Sequence, residues 1–263
     1  MTWRTGVLLM LAVAATMVAA LIPRWPQNPA YHAFADQRLL LGVPHFWNVV
    51  SNAAFALAGM FGLALWTRAD WRSRPGRWGW LVVGAAAVLT GVGSAYYHVA
   101  PTNQTLYWDR LPMAVLFMGI FSIAIGERIR APVGSLLLAP MVLLGAASVE
   151  VWRQGELAGV GAGDLRFYGL VQYYPMVALA LILLMYPARN SGGRRWWGML
   201  GLYSGAKLAE LSDAAVYGVS AGLLSGHVMK HVLGGAALVV LFGCLRSAQA
   251  GSVSPGGAGL PRK

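Results

Sequence analysis

Three histidines have the spacing and placement to share one metal ion. His227 and His231 lie four residues apart, so on a helix both rings project from one face, about 6 Å apart along the axis. His98 lies far from them in the sequence, at the end of another apolar stretch. Three neutral histidines with one open coordination position are typical of catalytic zinc. Cys244 is the only cysteine, which argues against a cysteine-rich structural zinc site.

Two further polar residues accompany these histidines. Ser94 lies one helical turn before His98, and Asp109 follows His98 by eleven residues across a short connection. The residue after His227 is Val228, so a general base of the H-E-x-x-H type is absent and must come from another helix. Taken singly, each residue also fits a structural role at a helix end or in close helix packing. As a set they favour a reactive site.

The composition places these residues in a membrane protein. Of 263 residues, 57% are apolar and 11% are charged, which is too few charges to cover a soluble protein of this size. Eight stretches approach the roughly 20 apolar residues that a spanning helix needs. They are about 7 to 22, 46 to 66, 78 to 98, 111 to 126, 132 to 150, 168 to 187, 195 to 217 and 222 to 243. We therefore predict an all-α polytopic membrane bundle, with a seven-helix core and an additional N-terminal helix.

The chain divides into three parts on this pattern. Residues 1–45 hold the N-terminal helix and an external connection, 46–245 the core, and 246–263 a Gly- and Ser-rich tail predicted to be disordered. The first stretch could instead be a signal peptide, but its apolar run continues without a clean cleavage site, which favours a retained helix. Loops on one side collect most of the 20 lysines and arginines, so both termini are predicted to be cytoplasmic if eight helices span.

The remaining charged residues bear on alternative functions. The net charge of +11 comes from short arginine clusters between apolar runs, which is unlike a nucleic-acid-binding surface. Lys207, Glu210 and Asp213 lie three apart on one helical face, and the favoured interpretation is a structural ion pair inside the membrane. Support for a histidine ligand is the functional alternative. Lys230 is predicted to face elsewhere and to extend toward lipid headgroups.

Several short blocks together resemble the alkaline ceramidase family, within the superfamily of seven-helix membrane hydrolases that includes adiponectin-receptor-like proteins. The blocks are Phe46-Trp47-Asn48-Val49-Val50-Ser51-Asn52, Gly93-Ser94-Ala95-Tyr96-Tyr97-His98, Pro101-Thr102-Asn103-Gln104-Thr105-Leu106, Asp109-Arg110-Leu111-Pro112-Met113 and Gly226-His227-Val228-Met229-Lys230-His231. The similarity runs from about Phe46 to His231, with little between the blocks.

This resemblance implies roles for individual residues. His98, His227 and His231 would be zinc ligands, with Ser94 and Asp109 beside the catalytic water. The family's eukaryotic members also place a calcium site with acidic ligands before the first core helix. Here that position offers only one acidic residue in the preceding segment, so calcium is not predicted. The segment 31–36 has a different role or caps the external end of the bundle.

The sequence thus predicts a zinc-dependent amidohydrolase that cleaves ceramide or another N-acyl lipid in the membrane, with the inner membrane of a bacterium as its location. Asp109 would move the proton and Ser94 would stabilise the water or the oxyanion. Three alternatives stay open at this point. They are a zinc-containing receptor or sensor without turnover, an ion transporter that uses the acidic residues and histidines, and a hydrolase of lipid esters. No nucleic-acid partner is predicted.

Overall fold

The computed structural model describes residues 2–68, 76–188 and 192–250, with side chains up to residue 245, and these parts form an all-α bundle. The helices are α1 (Trp3–Leu21), α2 (Phe46–Ser51), α3 (Ala53–Arg68), α4 (Arg77–Val99), α5 (Asn103–Arg128), α6 (Ala131–Ala158), α7 (Arg166–Met185), α8 (Gly193–Leu211), α9 (Asp213–Val219) and α10 (Gly226–Ala250). A short 3-10 helix at Pro29–His32 lies in the long connection between α1 and α2. The predicted fold class is confirmed.

Seven helical segments in the described part of the chain are long and apolar enough to cross a membrane. They are α1, α2 with α3, α4, α5, α6, α7 and α10. The eighth predicted span, α8, falls outside this set, because its 19 residues include four charged ones. These are Arg194 and Arg195 near its start and Lys207 and Glu210 near its end. The predicted tail 246–263 lies largely outside the described residues.

The turn between α4 and α5 follows from local sequence. Pro101 disfavours helical backbone at the residue before it, so α4 stops there. Thr102 then caps α5, because its hydroxyl accepts from the backbone N–H of Thr105 while the Thr105 hydroxyl accepts from the Thr102 N–H. As a result, His98 lies in the last turn of α4 and Asp109 lies in the second turn of α5. Both residues are at the same end of the bundle.

Two glycines allow backbones to touch at this end. A Cβ atom at Gly93 would overlap the carbonyl oxygen of Trp108, so α4 and α5 are in direct backbone contact one residue before Ser94. A Cβ atom at Gly226 would likewise overlap the carbonyl oxygen of Ala209, where α10 begins against α8. Any other residue at these positions would push the helices apart.

The predicted helix 195–217 is wrong as a single element. The chain leaves the helix at Ser212, whose N–H bonds the carbonyls of both Leu208 and Ala209, and a separate short helix starts at Asp213. Bonds to carbonyls three and four residues back mark a tightened last turn. The break turns Asp213 away from the face that carries Glu210.

The largest apolar core fills the half of the bundle away from this end, around Val83, Phe117, Trp196 and Phe242. The helix α1 packs on its outer side against α7, where Leu8 is its buried residue. Most other apolar side chains of α1 are exposed, as expected of a helix with lipid on one side. Retention of α1 stays a prediction.

Candidate metal centre

The structure brings the three histidines together. One ring nitrogen from each of His98, His227 and His231 lies within 4.8 Å of the other two, and all three side chains are buried. The helix α4 supplies the first and α10 supplies the other two. The two Nε2 atoms of His98 and His227 are 3.2 Å apart. Residues 129 positions apart in the chain therefore form one cluster.

This cluster fits a divalent metal ion. Two nitrogens that bind one tetrahedral ion at about 2.0 to 2.1 Å must be separated by about 3.3 Å, which is close to the distance between His98 and His227. The Nε2 atom of His231 is buried and has no hydrogen-bond partner within the described structure. A buried nitrogen with an unused lone pair is costly unless a ligand satisfies it. An all-imidazole donor set suits zinc and neighbouring transition metals.

Ser51 sets the orientation of His231. The Ser51 hydroxyl lies 2.7 Å from Nδ1 of His231 and 3.2 Å from the carbonyl oxygen of Asn48. Because the hydroxyl donates its single hydrogen to that carbonyl, it accepts the Nδ1–H of His231. The Nε2 atom then carries the lone pair that a metal needs. The sequence analysis did not single out Ser51 for this role, although it lies in the block that begins at Phe46.

A phenylalanine from the connection between α1 and α2 covers the histidines. The ring centroid of Phe34 lies 4.6 Å from those of both His98 and His227. Asp213 holds this segment in place, since one carboxylate oxygen accepts from the Ala35 N–H at 2.9 Å and the other accepts from the His227 N–H at 2.7 Å. Asp213 thus caps α10 instead of joining Lys207 and Glu210 as expected from its spacing, because the chain breaks at Ser212.

The same connection closes the histidine-bearing end of the bundle through Asp36. Its carboxylate accepts two hydrogen bonds from the Arg38 guanidinium, and its carbonyl accepts from the Asn48 amide. Burial disfavours the carboxylate, but the hydrogen bonds from Arg38 outweigh burial and hold the pKa of Asp36 below its usual range. The segment 31–36 caps the bundle, and its acidic residue is already paired.

Ser94 and Asp109 lie together at the same end of the bundle. Both are buried, and the Ser94 hydroxyl lies beside the Asp109 carboxyl. The backbone contact at Gly93 explains why residues on two helices can approach so closely. The Asp109 carboxylate is not among the three mutually close ligand atoms, so it is available for a role other than metal binding.

Arg110, which lies just outside the predicted stretch 111 to 126, is buried beside Asp109. Its guanidinium lies 4.5 Å from the ring centroid of Trp152 and 4.9 Å from that of Tyr168, and it donates to Gln27 at 2.6 Å. Aromatic faces and an amide oxygen stabilise a cation that has no carboxylate in direct contact. Arg110 therefore adds positive potential beside Asp109.

The prediction that Lys230 extends toward lipid headgroups is wrong. Its ammonium donates to Glu210 at 2.8 Å and lies 3.4 Å from Nε2 of His227. The other oxygen of Glu210 accepts from Lys207, so the predicted pair of Lys207 and Glu210 is present and has a third member. Lys230 points inward because it lies one turn after His227, on the face of α10 that contacts α8.

No protein-family model matches the chain, and no curated protein has significant sequence similarity to it. The resemblance to alkaline ceramidases therefore stays a prediction that rests on the short blocks and on the residues within them.

Proposed function

We propose that the protein is a zinc-dependent intramembrane hydrolase that cleaves the amide bond of an N-acyl lipid, such as ceramide. The observation that carries the proposal is the buried cluster of His98, His227 and His231, at the end of a membrane-type bundle, with the Ser94 and Asp109 pair on the same end. The three histidines would hold zinc. Zinc supplies a Lewis acid that activates water and polarises a carbonyl.

Asp109 and Ser94 have complementary roles in this reaction. Asp109 accepts a proton as water adds to the amide carbonyl, and it returns that proton to the nitrogen as the C–N bond breaks. The products are a fatty acid and the free amine, which is a long-chain amine when the lipid is ceramide. Ser94, beside the Asp109 carboxyl, would place a hydroxyl near the developing oxyanion.

An apolar cavity between α5, α7, α8 and α10 supports a lipid substrate. Its lining includes Phe117, Met176 and Leu238 deep in the bundle. Lys230 and Glu210 line its polar end, where the histidine cluster begins. An acyl chain in this cavity would place its carbonyl near the metal.

The location that we propose is the inner membrane of a bacterium. Both termini are cytoplasmic if α8 crosses as well. Its 19 residues make it about 28 Å long, close to the thickness of the hydrocarbon core. Its charged residues lie near its two ends, where they reach headgroups or pair with each other.

The test is to measure zinc content and fatty-acid release for the purified native chain and for Asp109→Asn. We expect one zinc per chain in both, and release that is at least about 100-fold slower in Asp109→Asn because the proton acceptor is lost. His231→Ala is the matched control and should lose zinc and release together. Zinc without release from any N-acyl lipid would favour the receptor alternative, and release without zinc would contradict the proposal.

A further inference from the structure

The polar end of the interhelical cavity holds an unusual set of charges. Lys207, Glu210 and Lys230 all line it, and Glu210 is shared, with each of its oxygens accepting from a different lysine. We call these three residues the charge cluster. It contains two ammonium groups and one carboxylate, so it carries one positive charge in excess. Lys230 and Glu210 are each 15% exposed and Lys207 is 28% exposed, so the surplus charge lies at a partly shielded wall of a mostly apolar cavity, where a bound anion would be stabilised.

Neighbouring groups do not remove this surplus. Asp109 attracts Lys230 electrostatically, but Arg110 lies beside Asp109 and offsets its charge. Lys207 also lies 5.9 Å from the ring centroid of Tyr173, a contact that stabilises a cation without neutralising it. The excess charge therefore remains available to a ligand in the cavity.

A second, independent observation points to a polar ligand atom in the cavity. The Tyr203 hydroxyl is buried and has no hydrogen-bond partner in the described part of the chain. Tyr203 lines the same cavity, four residues before Lys207 and therefore on the same helical face. A buried hydroxyl without a partner is satisfied when a bound molecule supplies an acceptor.

The shape of the cavity indicates the chemical nature of the rest of the bound molecule. Lys230 lies at its polar end, while Gly234 and Leu238 of the same helix lie deeper. Eight helical residues cover about 12 Å, a length that suits part of one extended alkyl chain. The lining beyond the charge cluster is largely apolar, with Met113, Leu116 and Ile120 on α5.

We propose that the charge cluster binds the carboxylate of a single-chain lipid whose alkyl chain occupies the cavity. The carboxylate can come from an N-acyl amino acid, as a substrate, or from a free fatty acid, as a product. Naming the substrate rests on the proposed hydrolase, whereas carboxylate binding itself does not. The position of Lys230, 3.4 Å from His227, places the bound carboxylate beside the metal centre.

The first test compares three lipids with one acyl chain on the zinc-loaded, detergent-purified protein: N-palmitoylglycine, palmitate and neutral N-palmitoylethanolamine. Retention of acyl-labelled lipid measures binding, and product analysis scores hydrolysis separately. We expect at least one carboxylate lipid to bind about tenfold or more tightly than the ethanolamide. Preference for N-palmitoylglycine identifies a substrate head group, and preference for palmitate identifies a product site. Equal binding of all three lipids overturns the inference.

The second test removes the surplus charge. Lys207→Gln leaves Lys230 and Glu210 as a neutral pair, so we expect the preference for a carboxylate to disappear. Lys207→Arg keeps the charge and should keep the preference, and equal zinc content in both variants shows that they are folded. A preference that survives in Lys207→Gln overturns the assignment to this cluster.

Failure of this inference is distinguishable from failure of the proposed function. Hydrolysis of the ethanolamide without any carboxylate preference contradicts the charge cluster alone. Carboxylate preference without hydrolysis of any lipid contradicts the hydrolase and leaves the binding site in place.

Discussion

Single side chains decide whether the histidine cluster can take a metal. His231 is the clearest case, because a neighbour outside the cluster fixes its tautomer. The Ser51 hydroxyl accepts from Nδ1 and directs its own hydrogen to the Asn48 carbonyl, which leaves Nε2 free. The hydroxyl of one small residue thus orients the ring and leaves its ligand atom ready for a metal.

This arrangement predicts the effect of Ser51→Ala. Loss of the hydroxyl removes the nearest partner of Nδ1 of His231 and leaves only the Asn48 carbonyl, so the ring is held less firmly and zinc affinity should fall about 10-fold. Titration against a chromogenic chelator measures the affinity. Ser204→Ala, at an exposed position on α8, is the matched control and should bind zinc like the native chain. Unchanged affinity in Ser51→Ala would show that the serine does not orient the ligand.

The sequence predicted the histidines but not all of their neighbours. Spacing on one helix was enough to pair His227 with His231. The contacts of Lys230 and Asp213 depend on how α8 and α10 cross and on where α8 ends. No spacing rule contains that information, and both were assigned to other surroundings.

A short turn and one close backbone contact between helices position the site at its end of the bundle. The turn between α4 and α5 is only a few residues long, so both helices must leave it side by side. Gly93 then lets the two backbones touch next to Ser94. The distance between Ser94 and Asp109 is therefore a property of helix packing.

Gly93→Ala tests this dependence on packing. The added methyl group would overlap the Trp108 carbonyl and force α5 away from α4, so we expect a loss of about 1 to 3 kcal/mol in stability and slower fatty-acid release. Thermal unfolding in detergent and the release assay measure the two effects. Gly201→Ala is the control, because an added Cβ there meets no atom within 4 Å. Equal stability of Gly93→Ala and Gly201→Ala would show that the backbone contact at Gly93 does not limit the residue at this position.

The start of α5 shows why a prediction from hydropathy misses the polar residues of a helix. The fourth apolar stretch was predicted from 111, yet α5 begins at Asn103. Asp109 and Arg110 interrupt the apolar pattern and were assigned to a connection or a helix start. In the structure they continue the helix, with Asp109 beside Ser94 and the Arg110 guanidinium against aromatic side chains, while its Nη1 atom has no hydrogen-bond partner in the described part of the chain. Hydropathy measures apolar length and does not register buried polar pairs.

At the scale of the whole molecule, the cluster links helices that are distant in the chain. The helix α4 supplies His98, and α10 supplies the other two ligands. A metal ion bound there would bridge the middle of the chain and its last helix. The side-chain geometry of the cluster depends on how α4 and α10 pack, which the sequence does not give.

Metal removal should therefore destabilise the whole bundle. A ligand at about 100 times its dissociation constant stabilises a fold by about 2.7 kcal/mol, so chelation should lower the unfolding temperature measurably. Thermal unfolding with and without chelator measures the shift. His231→Ala should already unfold at the lower temperature and respond little to chelator. A similar chelator response in that variant would place the relevant metal elsewhere.

The cover over the histidines has a consequence for exchange kinetics. Phe34 packs on two of the three rings, and Asp213 ties its segment to the first turn of α10. An ion can enter or leave from this side only when the connection between α1 and α2 moves away from the histidines. Affinity and residence time are then set by different parts of the chain, with the former determined by the histidines and the latter by a loop that contributes no ligand.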